Sequence, residues 1–124
     1  MSTVLQGLEV REVSNEIKSL GFIRSELKTE LSSLLREKNR TERSMELQEA
    51  YLEKAVLSNV ELKNEAQRKN ALKIALLEDQ SFQTLVSIVD EINTKIEGLE
   101  LDLRRNQIEI SFQEREFQIL TSQA

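Results

Sequence analysis

The chain has 124 residues, 31% of them charged, with a formal charge of -5, three Gly and no Pro, Cys or His. That length suits one ordinary domain, read here as a single unit over 1–124, and the missing thiols and imidazoles exclude disulfides and remove the usual nucleophiles, general bases and soft metal ligands. The acidic balance argues against direct nucleic-acid binding, where phosphate contacts draw on an excess of Lys and Arg, but leaves a basic partner protein open.

With no Pro and an abundance of strong helix formers, the expected fold is all-α. Aromatics are only 4% of the residues, too few for a broad globular core but enough for a narrow Leu and Ile seam, so an elongated coiled coil is predicted. The opening "MSTVLQGLEVREVSNE" has neither the basic start nor the apolar run of a secretory signal, and no stretch has the length of a membrane span. The expectation is a cytoplasmic protein without membrane contact.

The first helix is predicted over about 4–57. From Val10 the positions Val13, Ile17, Leu20, Arg24, Leu27, Leu31 and Leu34 follow at alternating steps of three and four, broken only by Arg24. The same frame then lands on Lys38, Thr41, Met45, Gln48, Leu52 and Ala55. The seam weakens across "REKNRTERS", where a kink or a change of partner is expected.

A short helix follows over about 65–78. Asn64 opens "NEAQ", an N-cap residue with a Gln three positions on that can reach back in a capping box. Ser58 and Glu61 form a second possible box, which leaves the end of the first helix open between Leu57 and Lys63. Ala66, Ala71, Leu72, Ile74, Ala75, Leu76 and Leu77 supply an apolar face, and Asp79 or Ser81 caps the next helix.

The last helix, over about 81–121, has the most regular seam: Phe82, Leu85, Val89, Ile92, Ile96, Leu99, Leu103, Asn106, Ile110, Gln113, Phe117 and Leu120. A sustained repeat of 3.5 residues predicts a left-handed supercoil with at least one partner helix, over roughly 60 Å at 1.5 Å per residue. Asn106 and Gln113 sit at d-type places, read either as tolerated, partly wet positions or as register controls. Val86 and Ile88 widen the apolar face at the start of this helix, as a local three-helix contact would require.

Two long helices around a short one can close as an antiparallel hairpin or open into an intermolecular coil. A parallel in-register dimer through the seam would face Glu37 with Glu42 and Glu109 with Glu114, which counts against it, whereas an antiparallel pairing brings Lys28 towards Glu100 or Glu114. In that antiparallel pairing the Glu-rich g positions remain unfavourable. The reading adopted is an antiparallel helical hairpin that also forms a homo-oligomer, with a dimer favoured, because a two-helix seam has few layers of burial.

Charge is uneven along the chain. Between Lys63 and Leu77 the bases Lys63, Arg68, Lys69 and Lys73 stand against Glu65 alone, while from Glu78 onward ten acids face Lys95, Arg104, Arg105 and Arg115. The plainer reading is a solvated helix face. The sharper one makes Asn64, Arg68, Lys69 and Lys73 a partner-binding patch for an acidic protein surface or a phosphate backbone. No interleaved aromatics support base stacking.

"ELKNEAQRKNALKIALLEDQSFQTLV" resembles a signature, Asn-Glu-Ala-x-Arg-Lys followed by an apolar helix, of small helical proteins from bacteriophages and mobile elements. It covers about a fifth of the chain. The resemblance implies a phage origin, a bacterial host cytoplasm, and an accessory factor or inhibitor that binds a host enzyme, such as a nucleic-acid-processing or defence complex. A structural scaffold or assembly coil is the alternative, and a prefoldin-like chaperone the second, although that family inserts β-hairpins where this chain predicts a capped helix. No Gly-rich phosphate loop, Ser–His pair or metal-ligand spacing is present, so neither catalysis nor a cofactor is expected.

Overall fold

Helix propensity without a single Pro to interrupt it produces three helices: α1 over Thr3–Leu57, α2 over Glu65–Glu78 and α3 over Gln80–Ser122. The computed structural model describes residues 3–122, and no strand occurs among them. α1 packs on α3 as a hairpin. The chain forms two compact units, one of Met1–Ser33 with Ile96–Ala124 and the other of Leu34–Lys95.

In the first unit the register is set by two polar ties. Asn106 Nδ2 donates to the Leu20 carbonyl at 3.0 Å, and Gln6 Nε2 donates to the Leu120 carbonyl at 2.8 Å. Residue numbers total 126 in both pairs, which defines an antiparallel alignment. Ile96, Leu99 and Ile110 are buried here, with Asn106 among them at 6% exposure. Asn106 thus lies inside the seam, while Gln113 is half-buried. This register sets Lys28 level with Gly98 and Glu114 level with Glu12. Among the described residues the expected pairs of Lys28 with Glu100 or Glu114 do not form; Lys38–Glu42 at 3.9 Å and Lys69–Glu65 at 3.5 Å both lie within one helix.

The covered face of α1 follows the heptad frame through its polar members. Val10, Val13, Ile17, Leu20, Arg24, Leu27, Leu31, Leu34, Lys38, Thr41, Met45, Gln48 and Leu52 are all half-buried. α1 runs unbroken across "REKNRTERS", because one helix carries its phase through a few polar residues at little cost. The frame ends at Leu52: Val56 is half-buried in place of Ala55. On α3, Phe82, Leu85, Val89, Leu103, Gln113, Phe117 and Leu120 are half-buried around the buried group that Ile92 opens.

In the second unit a single extended residue, Asp79, separates α2 from α3. Its Oδ2 accepts from Phe82 N at 2.8 Å and from Gln48 Nε2 on α1 at 3.0 Å, while its carbonyl accepts from Gln83 N at 3.0 Å. Asp79 rather than Ser81 is thus the cap, and α3 begins one residue earlier than expected. Gln83 Nε2 also reaches back to the Leu76 carbonyl at 2.9 Å, bracing the joint. Replacing Asp79 by Ala is expected to cost about 1–3 kcal/mol, as the cap and the tie to α1 go together. Asp79→Asn keeps an acceptor and most of that stability, which urea denaturation of both variants would check.

α2 covers a narrower face than its composition offers. Ala71, Leu72, Ala75 and Leu76 are half-buried, whereas Ala66, Ile74 and Leu77 are exposed. A 14-residue helix meeting its neighbours along one side covers only positions about one turn apart, and Ile74 and Leu77 fall outside that stripe. For the same reason Val86 is half-buried on α3 but Ile88 is exposed.

Candidate functional site

The turn from α1 to α2 is built from side chains that close backbone groups. At the end of α1, the Ser58 hydroxyl and Ser58 N both donate to the Lys54 carbonyl, at 2.8 and 3.1 Å. Ser58 therefore ends a helix rather than capping a new one, and its proposed box with Glu61 is absent. Asn59 Oδ1 instead accepts from Glu61 N at 3.0 Å, an Asx turn that reverses the chain.

Asn64 starts α2 as its sequence pattern predicts. Its Oδ1 accepts from Gln67 N at 2.8 Å, and the Gln67 Oε1 reaches back to Lys63 N at 2.8 Å. The reciprocal bond falls one residue before the cap, but two orphan donors are satisfied as in a capping box. Asn64 is exposed, yet both of its oxygens are committed, since its carbonyl also accepts from Arg68 N at 3.1 Å.

Arg68 and Lys69 meet the end of α1 across a crevice of about 240 Å³ lined by Glu53, Val56, Leu57, Glu65 and Leu72. Three of the residues around it are apolar, two are acids and two are bases. Ligand pockets usually run to about 300–1,000 Å³, so this hollow fits one or two side chains of a partner better than a free small molecule. Lys69 pairs with Glu65, but with both side chains largely exposed that pair adds little stability. Lys73 is exposed one turn further along α2 and does not line the crevice. Of the four predicted partner-binding residues the fold thus brings together Arg68 and Lys69, uses Asn64 as a cap and leaves Lys73 outside.

Exposed apolar side chains surround this end of the unit. Val60, in the turn, is 91% exposed, and Leu57 and Tyr51 on α1 are also open to solvent. A second hollow, of about 250 Å³, lies on α1 among Arg36, Asn39, Arg40 and Arg43. In the sequence this stretch stands out only as a weak part of the seam, although the three Arg recur at steps of four and three and so share one helix face.

Among the described residues no group of three or more His, Cys, Asp or Glu side chains is placed to hold a metal ion, and no helix is long and apolar enough to cross a membrane. No protein-family model, curated protein or solved structure matches this chain.

Proposed function

We propose that this chain is a non-catalytic, protein-binding coiled coil whose α1–α2 turn docks on a partner protein. The crevice carries the reading. The apolar side chains of Val56, Leu57 and Leu72 beside Arg68 and Lys69 can seat an apolar anchor while the cations meet acidic groups around it. With Lys63 and Lys73 nearby in the chain, the local balance of charge favours an acidic partner surface.

The Asn-Glu-Ala-x-Arg-Lys resemblance supports an accessory or inhibitory protein of phage type, acting on a host nucleic-acid-processing or defence complex by steric or electrostatic blocking. The acid-rich α3 could compete with nucleic acid for a basic groove on such an enzyme. Self-association belongs to the same reading, because few side chains are buried within one chain. A scaffold protein is the alternative that this thin core favours.

Affinity capture from a bacterial lysate separates the two. The wild type is expected to enrich one host complex, and a variant with Arg68, Lys69 and Lys73 all replaced by Glu to lose it, with unchanged helicity by circular dichroism. Equal capture by both proteins would refute docking at the turn, and recovery of this chain alone would favour the scaffold.

A further inference from the structure

α3 carries a second heptad stripe that the hairpin leaves open. Leu101, Ile108, Phe112 and Ile119 are 44%, 68%, 60% and 47% exposed. Together with the exposed Arg105 and Arg115 they follow one another at steps of four, three, four, three and four. Scattered surface apolar residues are ordinary, but this spacing is the one that another helix can follow along its length. All six belong to the unit of Met1–Ser33 and Ile96–Ala124.

The area left uncovered indicates how large the occupant is. A compact monomer of 14.3 kDa exposes about 6,800 Å² by the usual scaling of surface with mass. This chain exposes 9474 Å², roughly 2,700 Å² more. Obligate homodimers bury about 2,000–5,000 Å² in total, or about 1,000–2,500 Å² from each copy, so the surplus exceeds what one copy of such a dimer covers and leaves room for a second chain.

Resting on the self-association proposed above, we infer that the stripe is a homodimer interface in which α3 lies against α3 of a second copy, with the two helices pointing the same way. The flanking charges set the direction. Asp102, Glu109 and Glu116 run along one edge of the stripe, and Arg104, Ser111 and Gln118 along the other. A parallel pair brings the acidic edge of each copy beside the Arg104 edge of the other, with Arg104 facing Glu109 of the second copy. An antiparallel pair sets acidic edge against acidic edge. A parallel pair also sets Arg105 and Arg115 each against its own counterpart; Asp102 and Glu109 on the same helix offset the first, and the stems of both cover apolar surface.

Sedimentation equilibrium of the full chain tests the dimer, and two variants test the surface. The wild type is expected at twice 14.3 kDa, and the double variant Ile108→Glu, Phe112→Glu as a monomer of unchanged helicity, its dimer weakened by at least about 100-fold. Because the chain has no Cys, Ile108→Cys gives one thiol, which a parallel pair sets against its own copy and joins as a disulfide under mild oxidation. A wild-type monomer would overturn both the self-association and this interface. A double variant that stays dimeric would overturn the interface alone, and a dimer that resists cross-linking at position 108 would overturn its parallel arrangement. Should the double variant lose its helicity, the cross-link decides.

Discussion

Leu99→Asp is expected to unfold the hairpin, with far-UV circular dichroism showing loss of most helicity at room temperature. Leu99 is 8% exposed, and the register sets it level with Leu27 on α1. The substitution removes a buried Leu side chain and leaves a carboxylate without a partner, at a combined cost of about 3–5 kcal/mol or more. Small domains have roughly 5–15 kcal/mol in total, and only Ile92, Ile96, Leu99 and Ile110 form the buried apolar group among the described residues. Leu101→Asp, two residues along on the open stripe, is the control. At a dilution where the chain is monomeric it is expected to change stability by no more than about 0.5 kcal/mol. Equal damage from both substitutions would mean that the seam does not hold the fold.

Asn106→Leu is expected to act in the opposite direction, stabilising the hairpin by about 1–3 kcal/mol against urea. Asn106 Nδ2 is paired with the Leu20 carbonyl, but its Oδ1 is buried without a hydrogen-bond partner. Removing both polar atoms gives back the desolvation penalty of the unpaired oxygen. Uniqueness is lost in exchange, because apolar layers seven residues apart are nearly equivalent and a buried polar group can choose between them. Cysteine pairs at 13 and 113, against 13 and 120, would read that choice. Cross-linking confined to the first pair in the parent and spread over both in Asn106→Leu is the expected result. A less stable Asn106→Leu variant would show that the amide contributes more than its unpaired oxygen costs.

The phase of the long helices was legible because a helix keeps its angle through residues that do not fit. Arg24, Lys38, Thr41 and Gln48 stay on the covered face although none of them is apolar, since their apolar neighbours orient the turns on either side. Register was not legible in the same way. A strict heptad repeat looks alike after every shift of seven, and the bonds of Asn106, Gln6 and Gln48 are what distinguish one alignment from the next. At the turn, Asn64 and Gln67 declared the cap through a side-chain pattern that acts locally. The crevice beneath Arg68 and Lys69 depends on Val56 being covered instead of Ala55, which reflects contact with α2 and leaves no trace in the α1 repeat. The open stripe from Leu101 to Ile119 was readable in the spacing but hidden by the stronger series beside it.

Tyr51 gives the protein an optical property of its own. It is the one Tyr in a chain without Trp, it stands 69% exposed on α1, and it belongs to the Leu34–Lys95 unit that holds the crevice. Near-ultraviolet absorbance and emission beyond the weak contribution of Phe therefore come from a single phenol ring. Its signal reports on that unit alone, so an unlabelled chain carries a native fluorophore two residues from the Glu53 edge of the crevice.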